Sequence, residues 1–181
     1  MIVPVEKQFK SIEEQRKNLL DEIAKLSHAQ QNFKPSPDAW SILQVVNHLL
    51  FSETNVVKYM LKKMQGIATV EKAGFQAKVR SVVLNSFLKS PFKFKAPKAA
   101  MPTQEEVYIF ENLRKQWNET RSGFAKILDQ LNPADAEKLI FKHPLSGKFN
   151  IYQTMSFMQE HVAHHIRQVA RIKAHPNFPQ K

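Results

Sequence analysis

Four long stretches of this sequence repeat their apolar residues at helical spacing. Each such stripe must be buried against another element. In the first, Phe9, Ile12, Leu19, Leu20, Ile23 and Leu26 recur between charges, which predicts a helix from about Glu6 to Leu26. Pro35 and Pro37 then break the chain. The second helix has a sharp start, because Ser41 and Gln44 form a capping box and Trp40 and Val45 occupy the two staple positions around it. Ile42, Val45, Val46, Leu49, Val56, Val57, Met60 and Met64 form its stripe, and Gly66 marks a stop. The third helix is predicted to open at Thr103, boxed with Glu106, and to bury Val107, Phe110, Trp117, Phe124, Ile127, Leu128 and Leu131. Asn132-Pro133 ends it. The fourth starts at Asn150, with Gln153 three residues on, and turns Met155, Met158, Val162, Val169 and Ile172 inward before Pro176.

Four such helices in a chain of 181 residues predict one all-α domain over residues 1–181, a four-helix bundle. The connections are unequal. Gly66 to Pro102 forms a long crossover between the second and third helices, which lets those two run parallel. Within it, Lys78 to Lys89 reads as a minor fifth helix with Val79, Val82, Val83 and Phe87, and Pro91, Pro97 and Pro102 predict an extended crossing. Strand patterns are weak, with Leu139 to Phe141 and Lys148 to Phe149 the best hairpin candidates.

Composition removes several functions. The absence of cysteine excludes disulfides, thiolate metal sites and a cysteine nucleophile. No glycine-rich phosphate loop occurs among the 4 glycines. No run approaches the roughly 18 apolar residues of a membrane span, and Met1 to Lys10 carries no apolar core of a signal peptide. The expectation is a cytoplasmic protein with no membrane partner. The net charge of +11 is concentrated: Lys62 to Lys98 holds nine Lys or Arg against one acid, Glu71. Such a run attracts anions, although it reads first as a solvated connection, and no nucleic-acid motif accompanies it.

Seven histidines remain: His28, His48, His143, His161, His164, His165 and His175. His161 and His165 lie four apart, about one helical turn or roughly 6 Å, on one edge of the fourth helix's stripe. Two imidazoles so placed can share a metal ion. His164 projects away and is expected to be exposed. His48 sits on the flank of the second helix, with Ser52 and Tyr59, and can face a neighbouring helix. The pair is not the HExxH of the zincins, since Val162 stands where the glutamate would be.

Two motifs give the chain a family likeness. Trp40-Ser41-Ile42-Leu43-Gln44-Val45-Val46-Asn47-His48-Leu49, and later His161-Val162-Ala163-His164-His165-Ile166-Arg167-Gln168, together resemble the DinB/YfiT-like family of metalloenzymes, over nearly the whole chain. The resemblance implies a metal-binding four-helix bundle with a long crossover, often a homodimer. It also implies a divalent ion, zinc or nickel first and iron as a further option, held by His48, His161 and His165. The family is unrelated to the lesion-bypass polymerase of similar name.

An ion on three imidazoles keeps open positions, the pattern of catalytic sites. The expected function is therefore a metal-dependent hydrolase, or a transferase using a small thiol, acting on a small molecule. The alternatives are a non-catalytic bundle, dimeric or ligand-binding, and a binder of nucleic acid or an anionic surface through residues 62 to 98. No catalytic residue is identified. Glu53 stands out within an apolar stripe, and a hydrogen bond to a buried Tyr, Trp or His is the simpler account of it. Gln168 lies on the histidine edge and suits a role behind a ligand. Trp40 reads as a packing anchor, and Met155 and Met158 as core filler.

Overall fold

The computed structural model of the chain describes residues 1–90 and 107–180. Its helices are α1 (Val3–Ala24), α2 (His28–Asn32), α3 (Ile42–Met64), α4 (Phe75–Lys89), α5 (Phe110–Gln130), α6 (Pro133–Ala136) and α7 (Ile151–Lys173). A hairpin of β1 (Phe141–His143) and β2 (Gly147–Phe149) precedes the last helix. The long helices α1, α3, α5 and α7 make a four-helix bundle. In it α3 packs on α5 and α7, and α1 packs on the same two.

Local chemistry sets most boundaries. Pro4, with its fixed φ, lies in the first turn of α1. At α3 the box closes as expected: Gln44 N–H donates to Ser41 Oγ at 3.2 Å, and Ser41 N–H donates to Gln44 Oε1 at 2.9 Å. Asn150 and Gln153 do the same for α7, both at 3.0 Å. Ser27 and Gln30 form a third box that starts the short α2.

Two expectations need correction. The third long helix begins at Phe110, not Thr103. Val107 is exposed and Ile109 extended, while Tyr108 turns its hydroxyl to accept from Asn47 Nδ2 at 2.9 Å, so a tertiary bond holds the approach out of the helix. The Thr103–Glu106 box and the extended crossing at Pro91, Pro97 and Pro102 lie outside the described residues. The hairpin does form, although its first strand lies two residues beyond the predicted one and its second starts one residue earlier. Gly147 turns it at φ +80°, a conformation glycine adopts without a steric penalty.

The core divides into two apolar clusters along the bundle. One gathers Val5, Ile12, Val56, Met60, Phe124 and Met155; the other gathers Leu19, Ile23, Val46, Leu49, Leu113 and Val169. Polar side chains from three helices stand between the two. Arg121 grips Glu53 with Nε and Nη2, both at 2.6 Å, and reaches Glu13 with Nη1 at 3.0 Å. Trp117 Nε1–H donates to the same Glu53 carboxylate. Arg16 joins Glu13 at 2.9 Å and Asn118 at 2.7 Å. Glu53 and Arg121 are each 2% exposed, so this is a buried ion-pair layer across α1, α3 and α5.

Candidate metal centre

The site begins with the entry to α3. The capping box fixes the first turn and folds Trp40 back, so that its ring lies 5.2 Å from His48 and 6.5 Å from His165, stacked on the latter. His48 follows two turns into α3, on the side packed against α7. From α7, His161 and His165 project side by side, one turn apart.

The three imidazoles converge on their Nε2 atoms. His161 Nε2 stands 3.2 Å from His48 Nε2 and 3.2 Å from His165 Nε2. All three donor atoms lie within 4.8 Å of one another, the one cluster of this kind among the described residues. Two nitrogens bound at about 2.0–2.1 Å to one ion stand about 2.9 Å apart at octahedral angles and about 3.3–3.4 Å apart at tetrahedral ones. Both spacings from His161 fall between these values. They fit a divalent ion without selecting one.

The environment keeps the two α7 rings neutral, as ligands must be. Burial first, and the neighbouring His48 ring second, push His165 down to about 3. Burial and then the His165 and His48 rings hold His161 well below the ordinary imidazole range. His165 Nδ1–H donates to Gln168 Oε1 at 2.8 Å. That bond fixes the tautomer and leaves the Nε2 lone pair facing the cluster, the arrangement found behind metal-binding imidazoles. Phe157 stacks on His161 at 5.3 Å.

The other candidates separate cleanly. His164, expected to be exposed, is partly buried, because α4 packs on α7 and its Leu88 carbonyl lies 3.0 Å from His164 Nδ1. Arg167 donates to the same carbonyl at 2.6 Å. Burial lowers His164, and the Leu88 bond partly offsets this. Glu53 is spent on Trp117 and Arg121 and takes no part in the cluster. Met155 and Met158 are core. His28 and His175 stay outside the cluster. His28 lies beside Asn32, and His175 packs its ring on Phe33.

Sequence reasoning passed over His143. It is buried in the hairpin, where its Nδ1 accepts from the amides of Leu145 and Ser146 at 3.2 and 3.1 Å, and burial lowers it to about 4. Its ring edge meets Phe157 at 4.7 Å, the same ring that stacks on His161. The weak strand pattern gave no sign that this turn would reach the bundle.

A model of the DinB superfamily matches residues 11–169. Among curated proteins, one from Bacillus mycoides (strain KBAB4) carries the name "Putative metal-dependent hydrolase". It is 25% identical over 178 residues, spanning 96% of this chain and 88% of that protein. The uncharacterised YuaE of Bacillus subtilis (strain 168) is 24% identical over 160 residues, 88% of this chain and 93% of its own. Among solved structures, YfiT from Bacillus subtilis is described as "a probable metal-dependent hydrolase with an unusual four-helix bundle topology". It aligns with a TM-score of 0.63 at 15% identity, over 99% of this chain and 91% of its own. The four-helix bundle protein TT2238 aligns with a TM-score of 0.57 at 16% identity, over 92% and 98%. At these identities the likeness to solved structures shows the fold.

Proposed function

The chain belongs to the DinB superfamily, and from that premise we propose that it is a divalent-metal-dependent hydrolase of a small molecule, its ion held by His48, His161 and His165. One observation carries the reading. Three Nε2 atoms from two helices meet within 4.8 Å, and the tautomer of one is set by Gln168 so that its lone pair faces inward. Neutral imidazoles packed this closely gain little from one another, because each ring nitrogen offers either one proton or one lone pair. A cation satisfies all three at once.

The protein's own contribution is orientation and desolvation. Trp40 and Phe157 wall the imidazoles with aromatic surface, which strengthens electrostatic interactions at the site. When bound, the ion supplies Lewis acidity toward a carbonyl or phosphoryl oxygen and activates water as the nucleophile. The name of the Bacillus mycoides relative and the description of YfiT support hydrolysis over other uses of such a site.

The test is elemental analysis of protein purified without chelator or nickel resin, followed by a screen of ester, amide and phosphoester hydrolysis with the metal found. About one ion per chain and turnover that a chelator abolishes are expected. Turnover that needs an added small thiol would make the protein a transferase instead. No binding after dialysis against zinc, nickel or iron would refute the metal centre.

A further inference from the structure

The helix inserted in the crossover, α4, carries apolar residues on two faces. On the inward face Ala77 and Ser81 are buried, and Leu84 and Leu88 pack partly buried on the core. A second set of apolar residues points the other way: Phe75 is 80% exposed, Val82 59% and Val83 48%, with Val79 beside them. At about 100° per residue, these four cluster on the face opposite Ala77 and Ser81.

The hairpin continues this surface. β2 packs on α4, and the Arg80 side chain lies against Gly147, 3.4 Å from where a Cβ would stand. Leu145, in the turn, is 79% exposed. Cations surround the apolar residues. Lys78 and Arg80 flank the helix stripe, and Lys142 and Lys148 stand exposed and directly opposite in the hairpin register. Like charges so paired destabilise a hairpin. Glu71 lies 3.9 Å from Lys148 and offsets part of that repulsion, while the outward Phe75 and Leu145 do not serve the core.

We infer that α4 and the hairpin turn form one docking surface for an anionic lipid bilayer, with Phe75, Val79, Val82, Val83 and Leu145 entering the interface and Lys78, Arg80, Lys142 and Lys148 meeting lipid phosphates. Docking of an exposed apolar patch ringed by cations needs no spanning segment, so the expectation of no membrane partner, which rested on the lack of one, does not exclude it. Charge complementarity selects the occupant. A second copy placed on this face would bring the same basic ring against itself across a two-fold axis. A nucleic acid would use the cations but leave the most exposed residues, which are aliphatic or Phe, without a binding role beyond stacking.

The experiment is co-sedimentation of the full chain with vesicles of phosphatidylcholine alone or mixed equally with phosphatidylglycerol, at low and high salt. Binding is expected only to the anionic vesicles and should fall with salt. Val79→Asp with Val82→Asp should abolish it while circular dichroism stays unchanged. Arg80→Glu with Lys142→Glu should weaken it at least tenfold, since each nearby cation contributes about fivefold. His161→Ala should bind vesicles as wild type does, which separates this surface from the metal site. Should the aspartate variant fold poorly, Phe75→Trp gives a second reading: the emission it adds should shift to the blue on anionic vesicles alone. Equal binding to both vesicle types, no binding to either, or an unshifted emission from the Phe75→Trp variant would overturn the proposal. So would loss of DNA binding or of dimerisation, rather than vesicle binding, in the aspartate variant.

Discussion

Replacing Gln168 by Ala tests whether His165 is held as a ligand. The amide oxygen accepts from His165 Nδ1–H at 2.8 Å and leaves Nε2 unprotonated, 3.2 Å from its His161 counterpart. Without that acceptor the imidazole can place its proton on Nε2, and a metal must displace it. A neutral hydrogen bond is worth about 0.5–1.5 kcal/mol, and loss of such a partner behind a ligand lowers metal affinity about 10–100-fold. Here the smaller figure applies. The His165 ring is also pinned by Trp40 at 6.5 Å and by the edge of His164 at 5.1 Å, so its orientation survives even when its tautomer does not. The expected loss is therefore roughly tenfold, about 1.4 kcal/mol, measured by zinc competition with a chromogenic chelator near neutral pH. Gln168→Glu keeps the acceptor and should bind at least as tightly as wild type. The metal-free stability of Gln168→Ala should fall by about 0.5–1.5 kcal/mol, the worth of the bond it removes from the buried His165 ring. Unchanged affinity in Gln168→Ala would show that the tautomer is set elsewhere. Weaker binding in Gln168→Glu would show that His165 Nδ1 is not the donor.

Other outcomes follow from the same geometry. His161 Nε2 is the one within 3.2 Å of both others, so His161→Ala should retain no divalent ion by elemental analysis and lose the rise in Tm that metal gives wild type. Burial keeps His143 at about 4 and His165 at about 3, against 6.5 for an exposed imidazole. Between those limits the unfolded chain takes up protons that the folded chain refuses. The stability of the metal-free protein should thus fall as pH drops below 6.5, by up to about 1.4 kcal/mol per pH unit for each ring, and be flat for these groups above it. Urea melts across that range check the sign, and stability that rises toward acid would refute it. Ser41→Ala removes the cap at the entry to α3 and should cost about 1 kcal/mol by the same melts.

How much of this was legible depends on the range of the interaction. The boxes at Ser41 and Asn150 work over three residues, and their side chains bond as the sequence alone predicts. The histidine edge of α7 follows from helical periodicity in the same way. What failed was set by contacts between distant segments. The third helix starts late because Tyr108 bonds Asn47, 61 residues away. His164 is partly covered because the crossover helix α4 lies on α7, a placement no periodicity states. Glu53 announced a buried partner, and Trp117 answers the expectation, but Arg121 sits 68 residues along on a helix whose axial offset only packing fixes.

That offset bears on the metal centre. His48 stands five residues before Glu53 on α3, so whatever sets the register of α3 also sets the height at which His48 meets α7. Arg121 grips Glu53 with two nitrogens and holds α1 through Glu13, a geometry that a slide of one helix by a single turn would break. A buried pair of this kind adds little net stability, whereas removing one member strands the other at about 3–5 kcal/mol. Glu53→Ala should incur that loss. Glu53→Leu combined with Arg121→Met should not: it leaves the Trp117 N–H unpaired, at about 1–3 kcal/mol, and is expected to be roughly 2 kcal/mol more stable than the single variant in urea melts. If the layer serves register, the double variant should keep its helical content yet bind zinc at least tenfold more weakly, because α3 is free to settle on apolar packing alone. Wild-type affinity in that variant would mean that the two apolar clusters align the helices unaided and that the ion-pair layer has no part in placing His48.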